Sequence, residues 1–493
     1  MEDVDLLIKN TRVYTMTPAH TVFAKGAIAI TGTEIVAVGA SDDIESRYSS
    51  QQTIDGSRCM AMPGLVDVHL HPFLNIHMPR EESADEGFAY AGPSAGRSDW
   101  LIHDPSVPPM AFSLAAHQPG WPNVQELFGQ LAMQDMIPPV VSYLLSMQTL
   151  LLSVRGGTTT FIEGGSGQPD SVADAAREIG IRAGVAHTVS DLGFTEGGEP
   201  PRVKDTEKEL LDAEAFAQRW DGCDDGMVSG WLSLFAEPGA SDELLTGLAR
   251  LSRERQLPLG GHSAATYSFE DYSKAIFGKP GLTRLADLGC LDTHYLAGHM
   301  GFYDDEELDR VAAKNLYIAH CPGTACHAGK SIIRDKKIIK AMQSGIVAGL
   351  GVDSIHHGSL VDEMRRAYTG HKDAWGDDRM LPAYKVLEMA TCDGAQAAHL
   401  GGKVGQLAPG LKADLILIDI DKPEYDNREP IDAFMRTGAS RDVRTSIING
   451  RIVMRDREIL SVDEAAVRRE FRGANLLIAK MMSGELGGDA KAF

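Results

Sequence analysis

The sequence predicts a (β/α)8 barrel with a small β-sandwich domain formed by both chain ends. Three observations carry this. Strand-like runs with Gly-rich turns occur at both ends, eight short apolar runs separated by crossover-length segments fill the middle, and several of those eight end in His, Glu or Asp.

Residues 1–61 read as the first part of the sandwich. Runs at 5–10, 27–30 and 34–39 are apolar and β-prone, and Gly and Thr punctuate them. Residues 401–460 repeat this grammar at 413–419 and 443–453, so the two ends can complete one sheet and leave the middle as an insert.

Residues 62–400 read as the barrel. A strand ending at His69 is followed by runs at 158–163, 182–187, 230–235, 258–262, 295–299, 316–320 and 347–353, each separated from the next by enough chain for a crossover helix. The long stretch from Phe73 to Gln148 after the first strand is expected to form a lid or a substrate wall, because a loop of that length on a catalytic face usually has a function. Residues 461–493 read as a helix opening with capping-box spacing at Ser461 and Glu464, continuing to Ile478, then a disordered Gly-rich tail beyond Met482.

The bulk properties narrow the function. A chain of 493 residues with 43% hydrophobic and 24% charged residues fits one large barrel with an added domain. A formal charge of -22 disfavours nucleic acid and anionic membranes as partners. Six cysteines (Cys59, Cys223, Cys290, Cys321, Cys326 and Cys392) without paired spacing indicate a reducing, cytoplasmic setting. The acidic start lacks the basic flank of an export signal, and no apolar run reaches the roughly 18 to 20 residues of a membrane span. A small-molecule substrate and a homo-oligomer are expected.

The chemistry concentrates at the strand ends. His69 and His71, two apart on one strand, project from one face and can reach a single ion. His262, His299 and Asp353 each end another strand. Three imidazoles and one carboxylate from this set of five suit zinc, iron or cobalt, with a position left for water.

The run from Pro63 to His71, residues 297–308, residues 319–322 and residues 405–417 resemble the amidohydrolase superfamily, in the branch of triazine hydrolases, cytosine-type deaminases and related herbicide hydrolases. The resemblance covers nearly the whole chain. It implies one divalent ion per subunit, zinc before cobalt, iron or manganese, on His69, His71, His262 and Asp353. It implies that Asp353 also moves the proton, and that His299 sits beside the water or the substrate. No lysine lies near His187 or Phe235 to bridge a second ion, so a mononuclear site is expected.

One position departs from the branch. Its deaminases and triazine hydrolases carry a glutamate three residues after the fifth-strand histidine, to protonate a ring nitrogen; here that position is Ala265. Alanine transfers no proton, which favours a carbonyl substrate: an amide, urea, carbamate or thiocarbamate in a small, largely neutral molecule, as in phenylurea and thiocarbamate hydrolases. A heterocycle deaminase or dechlorinase, with Glu163, Glu237 or a histidine standing in for the acid, is the alternative, and a non-catalytic scaffold the second. Glu163, His187, His320 and His327 are candidate substrate contacts. His356, His357 and Arg80 are further candidates for the pocket.

Overall fold

A computed structural model describes residues 1–73, 138–193, 195, 197–354 and 358–482. The expected lid falls largely on residues 74–137, outside the described residues, as do Arg80, His356, His357 and the tail beyond Met482.

The chain begins with β1 (Glu2–Asp3), β2 (Leu6–Tyr14), β3 (Val22–Thr31), β4 (Glu34–Ala40), β5 (Tyr48–Ser49), β6 (Gln52–Asp55) and β7 (Cys59–Pro63). It ends with β16 (Leu415–Asp419), β17 (Val443–Ile448), β18 (Arg451–Arg455) and β19 (Glu458–Ile459). These form a sheet ordered β19-β18-β17-β16-β7-β2-β3-β4, with β6 on β2 and β1 paired separately with β5. The antiparallel pairing of β16 with β7, which sets Leu415 against Pro63, is where the two ends meet. Ile8, Ile28, Ile30, Ala61, Leu415 and Ile447 cluster behind it.

Between the two parts lie β8 (Leu65–Leu70), β9 (Thr158–Glu163), β10 (Arg182–Val189), β11 (Val228–Ala236), β12 (Leu259–Ser263), β13 (Tyr295–His299), β14 (Leu316–His320) and β15 (Val347–Leu350), all parallel and in chain order. This is the (β/α)8 barrel. Strands covered on both faces carry continuous apolar runs, which is why the eight are legible as such. Val66, Ile162, Ala186, Trp231, Leu296 and Ala319, from six different strands, share one cluster, the side-chain filling expected of a barrel interior.

Gly64 alone separates β7 from β8, and a Cβ there would lie 2.1 Å from Thr159 Oγ1. Only glycine lets the chain enter the barrel so close to β9. A second tie is ionic. Arg182, opening β10, donates to both oxygens of Asp414 at 2.9 and 3.1 Å, and both side chains are buried. Asp414 also accepts from Asn449 N at 2.7 Å, so the pair joins the barrel to the loops of the terminal sheet. Removing one partner strands a buried charge, so Asp414→Ala is expected to cost about 3–5 kcal/mol. A lowered urea midpoint with an unchanged barrel circular-dichroism signature checks it.

The last helix runs from Glu464 to Met482. Its entry differs from the expectation: Asp463, rather than Ser461, accepts from the backbone of Ala466 at 3.0 Å. Arg155, which ends the helix Pro139–Arg155, holds Glu464 at 2.6 Å.

Candidate metal centre

The barrel closes at the same place where the candidate ligands meet. Beyond β15, Asp353 N donates to His69 O and Asp353 O accepts from His71 N, both at 2.7 Å, which stitches the eighth strand to the first. Asp67 reinforces the seam: its Oδ1 accepts from His69 N at 3.2 Å and from Val352 N at 3.1 Å. Burial pushes Asp67 up to about 8.

All five residues singled out at the strand ends converge. The ligand atoms of His69, His262 and His299 lie within 4.8 Å of one another, as do those of His69, His71 and Asp353. Asp353 Oδ1 is 3.3 Å from His71 Nε2 and 3.7 Å from His69 Nε2, and Oδ2 is 3.9 Å from His299 Nε2. The side chains of the three histidines in those pairs are only 2–7% exposed, against 13% for Asp353.

Second contacts orient the rings. His71 Nδ1 lies 3.0 Å from Gly165 O, and His262 Nδ1 lies 2.5 Å from Phe235 O. A proton on each Nδ1 satisfies those carbonyls and turns the Nε2 lone pairs inward, as ligating histidines require. His69 Nε2 and His299 Nδ1, both buried, have no hydrogen-bond partner among the described residues. Asp353 Oδ2 accepts from the Thr324 hydroxyl at 2.5 Å.

Electrostatics prepare the same protonation states. Burial holds His69 and His299 well below the usual imidazole range and lowers His262 to about 4. Burial alone would raise Asp353, but His299, His71, His69 and Lys330 overcome it and keep its carboxyl well below the ordinary range. Neutral imidazoles beside an ionised carboxylate are the forms that bind a cation.

The backbone is shaped around the cluster. A Cβ on Gly164 would lie 2.7 Å from His71 Nε2 and 2.9 Å from His69 Cε1, and one on Gly351 would lie 2.8 Å from His69 Cβ. His299 and Asp353 hold φ of 69° and 64°, unusual for residues with a side chain. Such conformations cost about 1 kcal/mol or more each and are concentrated where a side chain must be aimed. The donor set, its orphaned nitrogens and the glycine cradle fit one divalent ion, zinc.

The other candidates have contacts of their own. His320 ends β14 but turns to His371, on the helix Leu360–Trp375, with the two Nε2 atoms 3.1 Å apart. His327 is exposed at the end of a short helix, its Nδ1 2.8 Å from Gly323 O. His187 is half-buried, 6.4 Å from the Phe216 ring. Glu163 accepts from Ala186 N at 3.4 Å, and burial raises its pKa to about 7. Glu237 is bound at 3.1 Å by the buried Arg284 and at 2.8 Å by Ser273. Thr324, the seam residue Asp67 and Lys330 escape sequence reasoning, since nothing in their local context marks them.

His371 gives a test of pH sensitivity outside the centre. Burial lowers its pKa to about 4, so the fold keeps it neutral between about pH 4 and 6.5 while the unfolded chain binds a proton. Its contribution therefore increases with pH across that window and is lost towards pH 4. His371→Gln is expected to flatten the decline of the urea midpoint between pH 7 and pH 4.5 relative to the parent protein.

Residues 60–453 match the model of the amidohydrolase family. The chain belongs to the amidohydrolase family. This amidohydrolase is 28% identical over 470 residues to the 5-methylthioadenosine/S-adenosylhomocysteine deaminase of Pelotomaculum thermopropionicum, covering 94% of the chain and 97% of the relative. It is 27% identical to the 5'-deoxyadenosine deaminase of Methanosarcina mazei, covering 97% of the chain and all of the relative. In fold it is similar to an adenosine deaminase from Xanthomonas campestris with bound zinc, at a TM-score of 0.79 and 21% identity over 97% of this chain and 99% of that one. It is likewise similar to the zinc-complexed atrazine chlorohydrolase of Arthrobacter aurescens, at 0.77 and 21% over 95% and 100%. The amidohydrolase is thus an enzyme acting on carbon–nitrogen bonds other than peptide bonds. Among the described residues no helix is long and apolar enough to cross a membrane.

Proposed function

We propose that this amidohydrolase is a hydrolytic deaminase of an aminopurine nucleoside or a closely related aminoheterocycle, releasing ammonia from a ring carbon. The observation that carries the reading is the convergence of His69, His71, His262, His299 and Asp353, in a chain whose relatives over 94–97% of its length are named as such deaminases. Those relatives favour the deaminase over the carbonyl amides and ureas expected from Ala265.

In this reading His69, His71, His262 and Asp353 hold the ion. A divalent ion there supplies Lewis acidity, bringing the pKa of bound water towards neutrality. Asp353, ionised and steadied by Thr324, would accept a proton and pass it to the departing amine. His299, neutral and fixed by the strained β13 exit, would hydrogen-bond the water oxygen that adds to the attacked carbon.

Ala265 keeps a second reading in view, hydrolysis of a urea or anilide, in which the attacked carbonyl needs no ring proton. Zinc-loaded protein assayed against adenosine, 5'-deoxyadenosine, 5'-methylthioadenosine, a phenylurea and an anilide separates the two. Ammonia release from a nucleoside with no cleavage of the urea or anilide supports the deaminase, and the reverse pattern overturns it.

A further inference from the structure

The two oxygens of the Asp353 carboxylate have different surroundings. Oδ1 lies 3.3 Å from His71 Nε2 and 3.7 Å from His69 Nε2, on the side of those two imidazoles. Oδ2 lies 3.9 Å from His299 Nε2 and accepts from the Thr324 hydroxyl at 2.5 Å. Holding a cation and moving a proton are tasks for different oxygens, because ligation and protonation compete for the same lone pairs.

An aspartate does not keep its oxygens apart unaided. The backbone of Asp353 is pinned at a φ of 64° and by its links to His69 O and His71 N, both 2.7 Å. The terminal torsion of the side chain is nevertheless broad and roughly two-fold, so half a turn exchanges Oδ1 and Oδ2. A hydrogen-bond donor held on one side removes that freedom.

Thr324 is placed to be that donor. It is buried on the helix Pro322–His327, which leaves β14. The first turn of this helix is tied down: Gly323 N donates to Glu363 Oε2, and Ala325 N donates to Cys321 O at 3.1 Å. Glu363 is itself buried, on the helix Leu360–Trp375 that follows Asp353, and pairs with Arg366 at 2.6 Å. The chain leaving Asp353 thus grips the turn whose hydroxyl returns to Asp353. Gly351 lets the two strand exits approach, since a Cβ there would lie 3.0 Å from Cys321 Sγ.

We propose that Thr324 is a positioning residue that assigns the two oxygens of Asp353 their separate tasks, Oδ1 to the metal and Oδ2 to the proton. This rests on the reading in which Asp353 both ligates and moves the proton. The hydroxyl takes one lone-pair direction of Oδ2 and leaves another for a proton. As the water oxygen bonds to the ring carbon, Oδ2 takes one water proton and gives it to the amine nitrogen, and the C–N bond breaks to release ammonia. The other water proton ends on the ring nitrogen, the water oxygen becomes the carbonyl oxygen, and Asp353 is ionised at the end as at the start. Without the hydroxyl the carboxylate can turn and offer both oxygens to the ion, which stays bound while the proton path is lost.

The test compares the parent with Thr324→Val and Thr324→Ala, which lack the hydroxyl, and Thr324→Ser, which keeps it. Each is loaded with zinc for turnover and with cobalt for spectroscopy. The valine and alanine variants are expected to hold one metal per chain and to lose about 10- to 100-fold in kcat for 5'-deoxyadenosine, with KM within about threefold of the parent's. Serine is expected to restore kcat to within about threefold. The cobalt d–d band weakens as ligands are added beyond four or five, so it is expected to weaken in the valine and alanine variants and to match the parent in the serine variant. Valine and alanine variants with the parent's kcat, loss of metal from both, a serine variant as impaired as they are, or one cobalt spectrum shared by all four proteins overturns the role of Thr324 and leaves the deaminase reading in place. A parent that cleaves the phenylurea or the anilide and leaves 5'-deoxyadenosine intact overturns the deaminase reading alone. The cobalt spectra, and kcat for that carbonyl substrate, then decide the role of Thr324 by the same criteria.

Discussion

Asp353→Asn is expected to leave a folded barrel that binds zinc more weakly and turns over at about one-thousandth of the parent rate or less. Asparagine has nearly the same shape, so the Thr324 contact and the backbone links to His69 and His71 can persist. The negative charge and the proton acceptor are both lost, and a positioned acid–base group alone contributes about 10²–10⁴-fold. Zinc content measured beside kcat separates the two losses. A variant with depleted zinc whose rate returns to the parent's on adding excess metal would assign Asp353 to binding alone, and one as active as the parent would remove it from the chemistry.

The second large effect is expected at His262. Alanine there removes one imidazole donor from the cluster and the ring's contact with Phe235 O, while the strand pairing of β12 with β11 and β13 remains. Zinc is expected to fall well below one per chain after dialysis and turnover to drop by more than 10⁴-fold, with far-ultraviolet circular dichroism unchanged. His69→Ala is expected to behave alike. By contrast His327→Ala, on the exposed end of its helix, is expected to keep zinc and activity, and the contrast distinguishes ligation from general damage.

The fold is readable in the sequence because parallel barrel strands are buried on both faces and appear as uninterrupted apolar runs. The centre is readable because His69 and His71 share a face two residues apart, and because His262, His299 and Asp353 each close such a run. The same rule says less at His320. It also closes a strand, yet its ring turns to His371, and only the three-dimensional setting of that strand end shows this. Glu163 and Glu237 share the difficulty: their partners Ala186 and Arg284 are 23 and 47 residues away in sequence.

Lys330 illustrates a deeper limit. Between Gly329 and Ser331 it reads as an ordinary loop lysine, and lysines are usually exposed. In the structure it is fully buried, and two residues on Ile332 packs against Gly301, a contact between two strand exits that no local pattern encodes. The absence of an acid at Ala265, by contrast, is visible in the sequence.

The most direct measurement is an anomalous difference map at the zinc edge from crystals of the zinc-loaded protein. One peak per chain, about 2.0–2.2 Å from nitrogens of His69, His71 and His262 and from an oxygen of Asp353, is the predicted result. A stoichiometric zinc that binds elsewhere, with these four side chains left unligated, would contradict it.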